Sequence, residues 1–350
     1  MKLTIKPDTL TDRMALLFSL VPLPLIETQL VIVSARAIIV ATELGVFSCL
    51  YERPCSALEI AKKCQLDPRA TEALLGALVS ADYLKYRRER FELTSKSRKW
   101  LAAQNTWSLF DYMPHVRDVW EMLSGMEGFL RNGVALDIHS GQSGDAWSRY
   151  QRAMRSLAAL SAAEVVGRLP LATDARRMLD IGGSHGFYAV AFCSKYSQLS
   201  ATILDLPAAI EHAAPILAGE GMGDRIRHQA GDALADDLGE NAYDLILLSN
   251  LVHHFTDPQN HDLMARAARA LVPGGLLVIQ DLIRPHSPNS GDQVAQVLNL
   301  FFALTSTSGT WSVAEVQGWL RAAKLSVRRP LWLRSVPGAA QLVGQRRALP

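Results

Sequence analysis

The chain has 350 residues, 49% of them hydrophobic, and 36 basic against 34 acidic side chains give a formal net charge of +2. That length predicts two or three domains with ample cores, and a balance so near neutrality excludes a broad electrostatic footprint for nucleic acid. Four cysteines, Cys49, Cys55, Cys64 and Cys193, show neither C-x-x-C spacing nor a matching histidine pair, which argues against any metal centre and for reduced thiols in a cytoplasmic protein.

At the N-terminus, Asp8 and Asp12 precede any apolar run, unlike the basic start of a signal peptide. Residues 14–26 are too few to span a bilayer and include Pro22 and Pro24, while the apolar run after Leu30 meets Arg36. Both read as buried helices and not as membrane spans. So extended an apolar region favours burial against a second copy of the chain, hence a homodimer formed through the N-terminal domain.

Ser56 is placed to cap a helix holding Leu58, Ile60 and Ala61, and Asp67-Pro68 forms the cap and first turn of a second helix running to Ser80. Residues 83–94 read as a β-wing turning at Arg87-Arg88-Glu89-Arg90. This is a winged helix-turn-helix pattern, and such a second helix can enter a DNA major groove. Here that helix offers Arg69 opposed by Glu72, among Leu, Ala and Val, too little to neutralise phosphates. The pattern therefore reads as a dimerisation and lid module, with the basic turn as a solvated loop tip.

Residues 101–169 read as connecting helices rich in large side chains, among them Trp107, Phe110, Tyr112, Met113, Trp120, Met122, Met126, Trp147, Tyr150 and Met154. These suit both helix packing and a pocket for a planar aromatic ligand.

The segment Met178-Leu179-Asp180-Ile181-Gly182-Gly183-Ser184-His185-Gly186-Phe187-Tyr188 is an apolar strand that breaks into glycines and continues as a helix. The glycines let the backbone turn sharply and approach a ligand closely. The pattern is D-x-G-G-x-x-G and not the G-x-G-x-x-G of dinucleotide sites, and a carboxylate at the strand end would repel a pyrophosphate. It suits a cationic cofactor such as S-adenosylmethionine. A second run, 201–204, ends in Asp205 about twenty residues on, where an acid can accept from a ribose diol. A third, 225–230, closes with Gly231-Asp232, suited to an adenine amino group. A fourth, Tyr243–Ser249, leads into Asn250-Leu251-Val252-His253-His254-Phe255. The fifth, 276–281, follows the turn Pro273-Gly274-Gly275. Alternating strands and helices imply a parallel sheet with ligands at the carboxyl ends of its strands. After a helix over 313–323, the runs 325–333 and 340–345, joined through Pro337-Gly338, read as a terminal hairpin.

On these residues the chain resembles the S-adenosylmethionine-dependent O-methyltransferases of small molecules over nearly its whole length. The resemblance implies an α/β fold: a Rossmann-like methyltransferase domain, parallel sheet plus C-terminal antiparallel hairpin, preceded by a mainly α winged-helix dimerisation domain. The implied division is 1–100 for dimerisation, 101–172 for connecting helices and 173–350 for catalysis. Asp180, Gly182, Gly183 and Gly186 would take the methionine part of the cofactor, Asp205 with Leu206 the ribose side, and Asp232 with Ala233 the adenine, while Ser249 and Asn250 complete the cofactor contacts. His253 stands where the family has its general base, often within a His-Asp-Trp triplet, although the second position here is His254. Asp281 matches the acid that orients the base. The second orienting acid of plant members would fall near Thr310, which cannot replace it. Tyr150 and Met154 resemble the helix forming the substrate ceiling, with residues 140–144 as the preceding loop; Asn299, Phe302 and Thr305 would supply a second wall beside His254. The implied reaction is in-line methyl transfer from S-adenosylmethionine to a hydroxyl of a phenolic or polyketide-like metabolite, leaving S-adenosylhomocysteine.

Three other readings stay open on sequence. Gly182-Gly183-Ser184-His185-Gly186 matches the G-x-S-x-G nucleophile elbow, with Asp281 and His286 following in hydrolase order, yet it falls on the sheet's first strand and leaves three acids unexplained. A regulator that binds a ligand through the Rossmann-like domain and DNA through the winged helix is disfavoured by its sparse basic residues. A relative that holds S-adenosylmethionine but performs hydroxylation or pericyclic chemistry would carry the same cofactor motifs.

Overall fold

The computed structural model describes residues 5–138, 144–290 and 293–348, so residues 140–143 of the loop expected before the substrate ceiling lie outside the described residues. The chain divides into two compact units at Asp118/Val119.

In the first unit, Ser56 accepts from Glu59 N–H at 3.2 Å while the Glu59 carboxylate accepts from Ser56 N–H at 2.7 Å. This reciprocal box starts the helix Ala57–Cys64. Asp67 accepts from Ala70 N–H at 2.8 Å and Pro68 fills the first position of Pro68–Ser80, the bounds expected from sequence. Strands β1 (Leu84–Arg87) and β2 (Arg90–Leu93) pair antiparallel around Arg88 and Glu89, both left-handed. Val46, Phe47, Leu50, Ile60, Leu75, Leu78 and Leu84 close the core. Arg87, Arg88, Glu89 and Arg90 are all exposed, as a solvated loop tip requires; Arg90 also bonds Glu59 at 2.9 Å, and hydrogen bonds from Ser56 and Arg53 hold the Glu59 carboxyl down at about 2.

Within the single chain the N-terminal helices are covered only in part: Val31–Glu43 buries Ile39, Ala41 and Thr42, and the cover expected from a second copy would fall on the rest. No residue of Leu10–Leu17 is buried, and Leu17, Leu20, Leu30 and Val33 are 55% to 74% exposed. By length and composition alone, the stretch Leu23–Glu43 is a helix long and apolar enough to cross a membrane.

The second unit is built on β3 (Arg177–Ile181), β4 (Ser200–Asp205), β5 (Ile226–Ala230), β6 (Tyr243–Ser249), β7 (Leu271–Leu282), β8 (Ser326–Val327), β9 (Leu331–Trp332) and β10 (Ala339–Gln345). The order is β5-β4-β3-β6-β7-β10-β8, with β9 also on β10. The first five are parallel; β10 runs antiparallel to β7, β8 and β9. Consecutive residues face opposite layers: Met178 joins the cluster with Val165, Ala189 and Phe192, Leu179 the one with Leu263, Met264 and Trp319. Covered on both faces, the central strands are continuous apolar runs.

Two details differ from the sequence expectation. β7 begins at Leu271 and carries Pro273-Gly274-Gly275 inside it, with an irregularity in its pairing to β6 between Tyr243 and Leu245. The first hairpin arm is split into β8 and β9, and Pro330, which has no N–H to donate, lies between them.

Candidate active site

The order β5-β4-β3-β6-β7 means the chain leaves β3 towards one edge and returns at β6 towards the other, opening a crevice above β3 and β6 at their carboxyl ends. Asp180, Asp205 and Asp232, at the ends of β3 and β4 and just beyond β5, therefore come to one edge in strand order.

Asp180 is fully buried, and neither of its oxygens has a protein hydrogen-bond partner among the described residues. Burial, and secondarily the Asp205 carboxylate, push its pKa up to about 8. A buried acid without donors is stabilised by a cation brought against it. Gly183 packs directly over it: a Cβ there would lie 2.4 Å from the Asp180 Cγ. Gly186 caps the helix Phe187–Lys195 with φ +73°, a conformation that side chains disfavour. Orphaned carboxyl and glycine cradle both fit the ammonium and sulfonium of S-adenosylmethionine.

Asp205 accepts from Ser184 N–H and Leu206 N–H, both at 2.8 Å, and burial pushes its pKa up. The carboxylate keeps acceptor capacity for a diol. Leu206, 53% exposed, presents an apolar side chain beside it. Asp232 accepts from Leu234 N–H at 2.8 Å and stays exposed, next to the half-buried Ala233. Ser249 accepts from Gln280 Nε2 at 3.2 Å, and Asn250, left-handed at φ +51°, donates its N–H to the Gln280 carbonyl.

Across the crevice, Val252–His254 forms a 3-10 turn that buries His253. Its Nδ1 lies 2.9 and 3.0 Å from the two oxygens of the buried Asp281. A carboxylate only accepts, so Nδ1 carries the hydrogen and Nε2 is left as the basic nitrogen. The Phe302 ring packs 4.5 Å from the His253 ring and that of His254 4.2 Å away.

The expected substrate residues are placed unequally. Phe302 touches the base directly. Asn299 on the helix Gln293–Thr305 instead bonds Thr310, so the position compared with a second orienting acid is buried and tied away from His253. Thr305 is buried on the same helix, with its hydroxyl donating to Phe301 O at 2.9 Å. Tyr150 and Met154 lie half-buried on the helix Gly144–Arg168, which meets the glycine loop where Ser184 Oγ donates to Gln151 Oε1. The hydrolase arrangement is not formed: the hydroxyl of Ser184 meets an amide that cannot serve as base, and Asp281 is engaged by His253.

Gln151, Tyr188 and Gln280 were missed in the sequence. Tyr188 Oη bonds Ser161 at 2.8 Å and accepts from Gln280 Nε2 at 2.9 Å, forming a buried network behind the site. Gln280 had a signal, an amide inside an apolar strand. Gln151 had none, because its partner is 33 residues away.

The O-methyltransferase domain profile matches residues 119–321 and the O-methyltransferase dimerisation domain profile residues 26–103. The chain is 27% identical over 316 residues to a 3-hydroxy-5-methyl-1-naphthoate 3-O-methyltransferase of Streptomyces sahachiroi, covering 87% of this chain and 89% of that one. It is 25% identical to an N,N-dimethyltransferase of Streptomyces rimosus, over 84% and 88% of the two chains. The structure of human N-acetylserotonin methyltransferase in complex with SAM superposes with a TM-score of 0.82 at 18% identity, covering 99% of this chain and 100% of that one.

Proposed function

The chain belongs to the O-methyltransferase family and uses S-adenosylmethionine, and from that premise we propose that it methylates a hydroxyl of a small aromatic metabolite with His253 as general base. The buried His253–Asp281 pair carries this reading. When bound, S-adenosylmethionine supplies an electrophilic methyl on its sulfonium.

His253 Nε2 takes the acceptor's hydroxyl proton as the oxygen–methyl bond forms and the methyl–sulfur bond breaks, leaving S-adenosylhomocysteine. The imidazolium so formed rests against the Asp281 carboxylate, an ion pair inside a site with little water to screen it. Asp281 also fixes the tautomer, so no reorganisation is needed before proton transfer. Holding the acceptor in line contributes a large share, since orientation can supply about 7 to 11 kcal/mol. His254 and Phe302 offer aromatic surface beside the base, and Tyr150 and Met154 would cover the acceptor from above. The naphthoate acceptor of the Streptomyces sahachiroi relative is a planar phenol of the kind such a site would take.

Asp180 with the glycine loop would hold the methionine end, Asp205 and Leu206 the ribose, and Asp232 and Ala233 the adenine. The exposed apolar face of the N-terminal helices and the dimerisation-domain match support a homodimer. Four free thiols fit a cytoplasmic setting. The test is titration with S-adenosylhomocysteine, with NADH as control, followed by a screen of phenolic acceptors for methylation. Binding with turnover of a phenol supports the reading, and binding without methylation of any hydroxyl overturns the acceptor class.

A further inference from the structure

Ser184 stands in the left-handed region at φ +51°, a conformation disfavoured for a residue with a side chain. Each of its polar groups is held. The hydroxyl donates to Gln151 Oε1, the N–H donates to Asp205 Oδ2 at 2.8 Å, and the carbonyl accepts from His228 Nε2 at 2.8 Å. Gln151 is 1% exposed. It lies on the helix Gly144–Arg168 between two further polar ties at helical spacing, Ser148 to His212 at 3.2 Å and Arg155 to Glu220 at 2.9 Å. Both ties reach the helix Pro207–Gly219 or its C-cap, so Gln151 reaches Ser184 from a helix that is itself anchored.

We infer that Gln151 is a positioning residue for cofactor binding: it holds Ser184, and Ser184 N–H in turn sets the orientation of the Asp205 carboxylate. The inference rests on the reading of Asp205 as the ribose acceptor. An unheld Ser184 would relax from its strained conformation and withdraw one of the two N–H donors that aim Asp205. A determinant of cofactor affinity thereby sits on the helix that carries Tyr150 and Met154, one residue from Tyr150.

The experiment is calorimetric titration with S-adenosylhomocysteine of Gln151→Leu, Ser184→Ala, the double variant and Asp205→Ala, with melting of each variant without ligand. Loss of one neutral hydrogen bond predicts about a fivefold weaker Kd for each single variant. The double variant should match the weaker single, because both changes remove one interaction. Melting temperatures should not follow the order of the affinities, as they would for a purely structural role. If Gln151→Leu does not fold, Gln151→Asn, which shortens the reach by one methylene, should weaken binding in the same direction. Gln151→Leu binding within twofold of the parent, or single losses that multiply in the double variant, would overturn the inference. Unchanged affinity in Asp205→Ala would instead remove the ribose reading on which it rests.

Discussion

His253 and Asp281 are 28 positions apart in sequence yet share a bifurcated contact of 2.9 and 3.0 Å, both side chains almost wholly buried. The contact exists because β6 and β7 are parallel neighbours: His253 follows the end of one and Asp281 lies near the end of the other.

His253→Ala should lower the methylation rate by about 100- to 10,000-fold, the usual share of general-base catalysis, while S-adenosylhomocysteine affinity stays unchanged. Single-turnover assays beside calorimetry separate the two. Retained turnover would place the base elsewhere, with His254 the first residue to test.

Asp281→Asn keeps the shape but can present its N–H to Nδ1, stabilising the tautomer with hydrogen on Nε2. A fall in kcat of about 100-fold or more with little change in KM for the cofactor is expected. Equal losses in both would show that Asp281 supports the fold and not the base.

Asp180 makes the protein pH-sensitive in two ways. Its folded pKa of about 8 exceeds the ordinary carboxylate value, so the folded chain keeps a proton that the unfolded chain releases. That contribution to stability is complete below about pH 4 and is lost as pH rises through about 8. A cation bound beside Asp180 lowers its pKa, so cofactor binding should release protons near pH 7 and tighten as pH approaches 8. Asp180→Asn should weaken binding at least about tenfold and abolish the release. Calorimetry in buffers of different ionisation heat reads it, and binding without proton release in the parent protein would remove Asp180 from the cation site.

Gly183→Ala places a methyl 2.4 Å from the Asp180 Cγ. Either the loop or the carboxyl must move, so cofactor affinity should fall by about tenfold or more with the melting temperature little changed. Parent-like affinity would mean that the loop yields without affecting the site.

The N-terminal segment leaves Leu17, Leu20, Leu30 and Val33 exposed, side chains of the kind that mark an interaction face. Sedimentation should give a dimer at micromolar concentration, and Leu30→Asp with Val33→Asp should shift it towards monomer. A monomeric parent protein would leave that face to another surface, a bilayer included.

Much of the site was legible because its signals are local. A glycine-rich turn after an apolar strand, an acid at each following strand end and a histidine pair after the fourth strand can all be read within windows of a few residues. The helices of the first unit were legible for the same reason, since Ser56 and Asp67 cap through bonds three residues long. The orphaned state of Asp180, the diversion of Asn299 to Thr310 and the hold of Gln151 on Ser184 were not. Each depends on what fills the space beside a side chain, which segments distant in sequence decide.

By itself, then, the sequence determined the order of strands and helices, the acids at the carboxyl edge of the sheet and the pairing of residue types that suits methyl transfer, because periodicity, caps and turn residues act over short range. Only the tertiary structure decided that His253 Nδ1 reaches both Asp281 oxygens, that Asp180 is left without a donor among the described residues, and that Asn299 accepts from Thr310. Those outcomes follow from the register of β6 on β7 and from close packing, where a shift of one residue would turn a side chain to the opposite face.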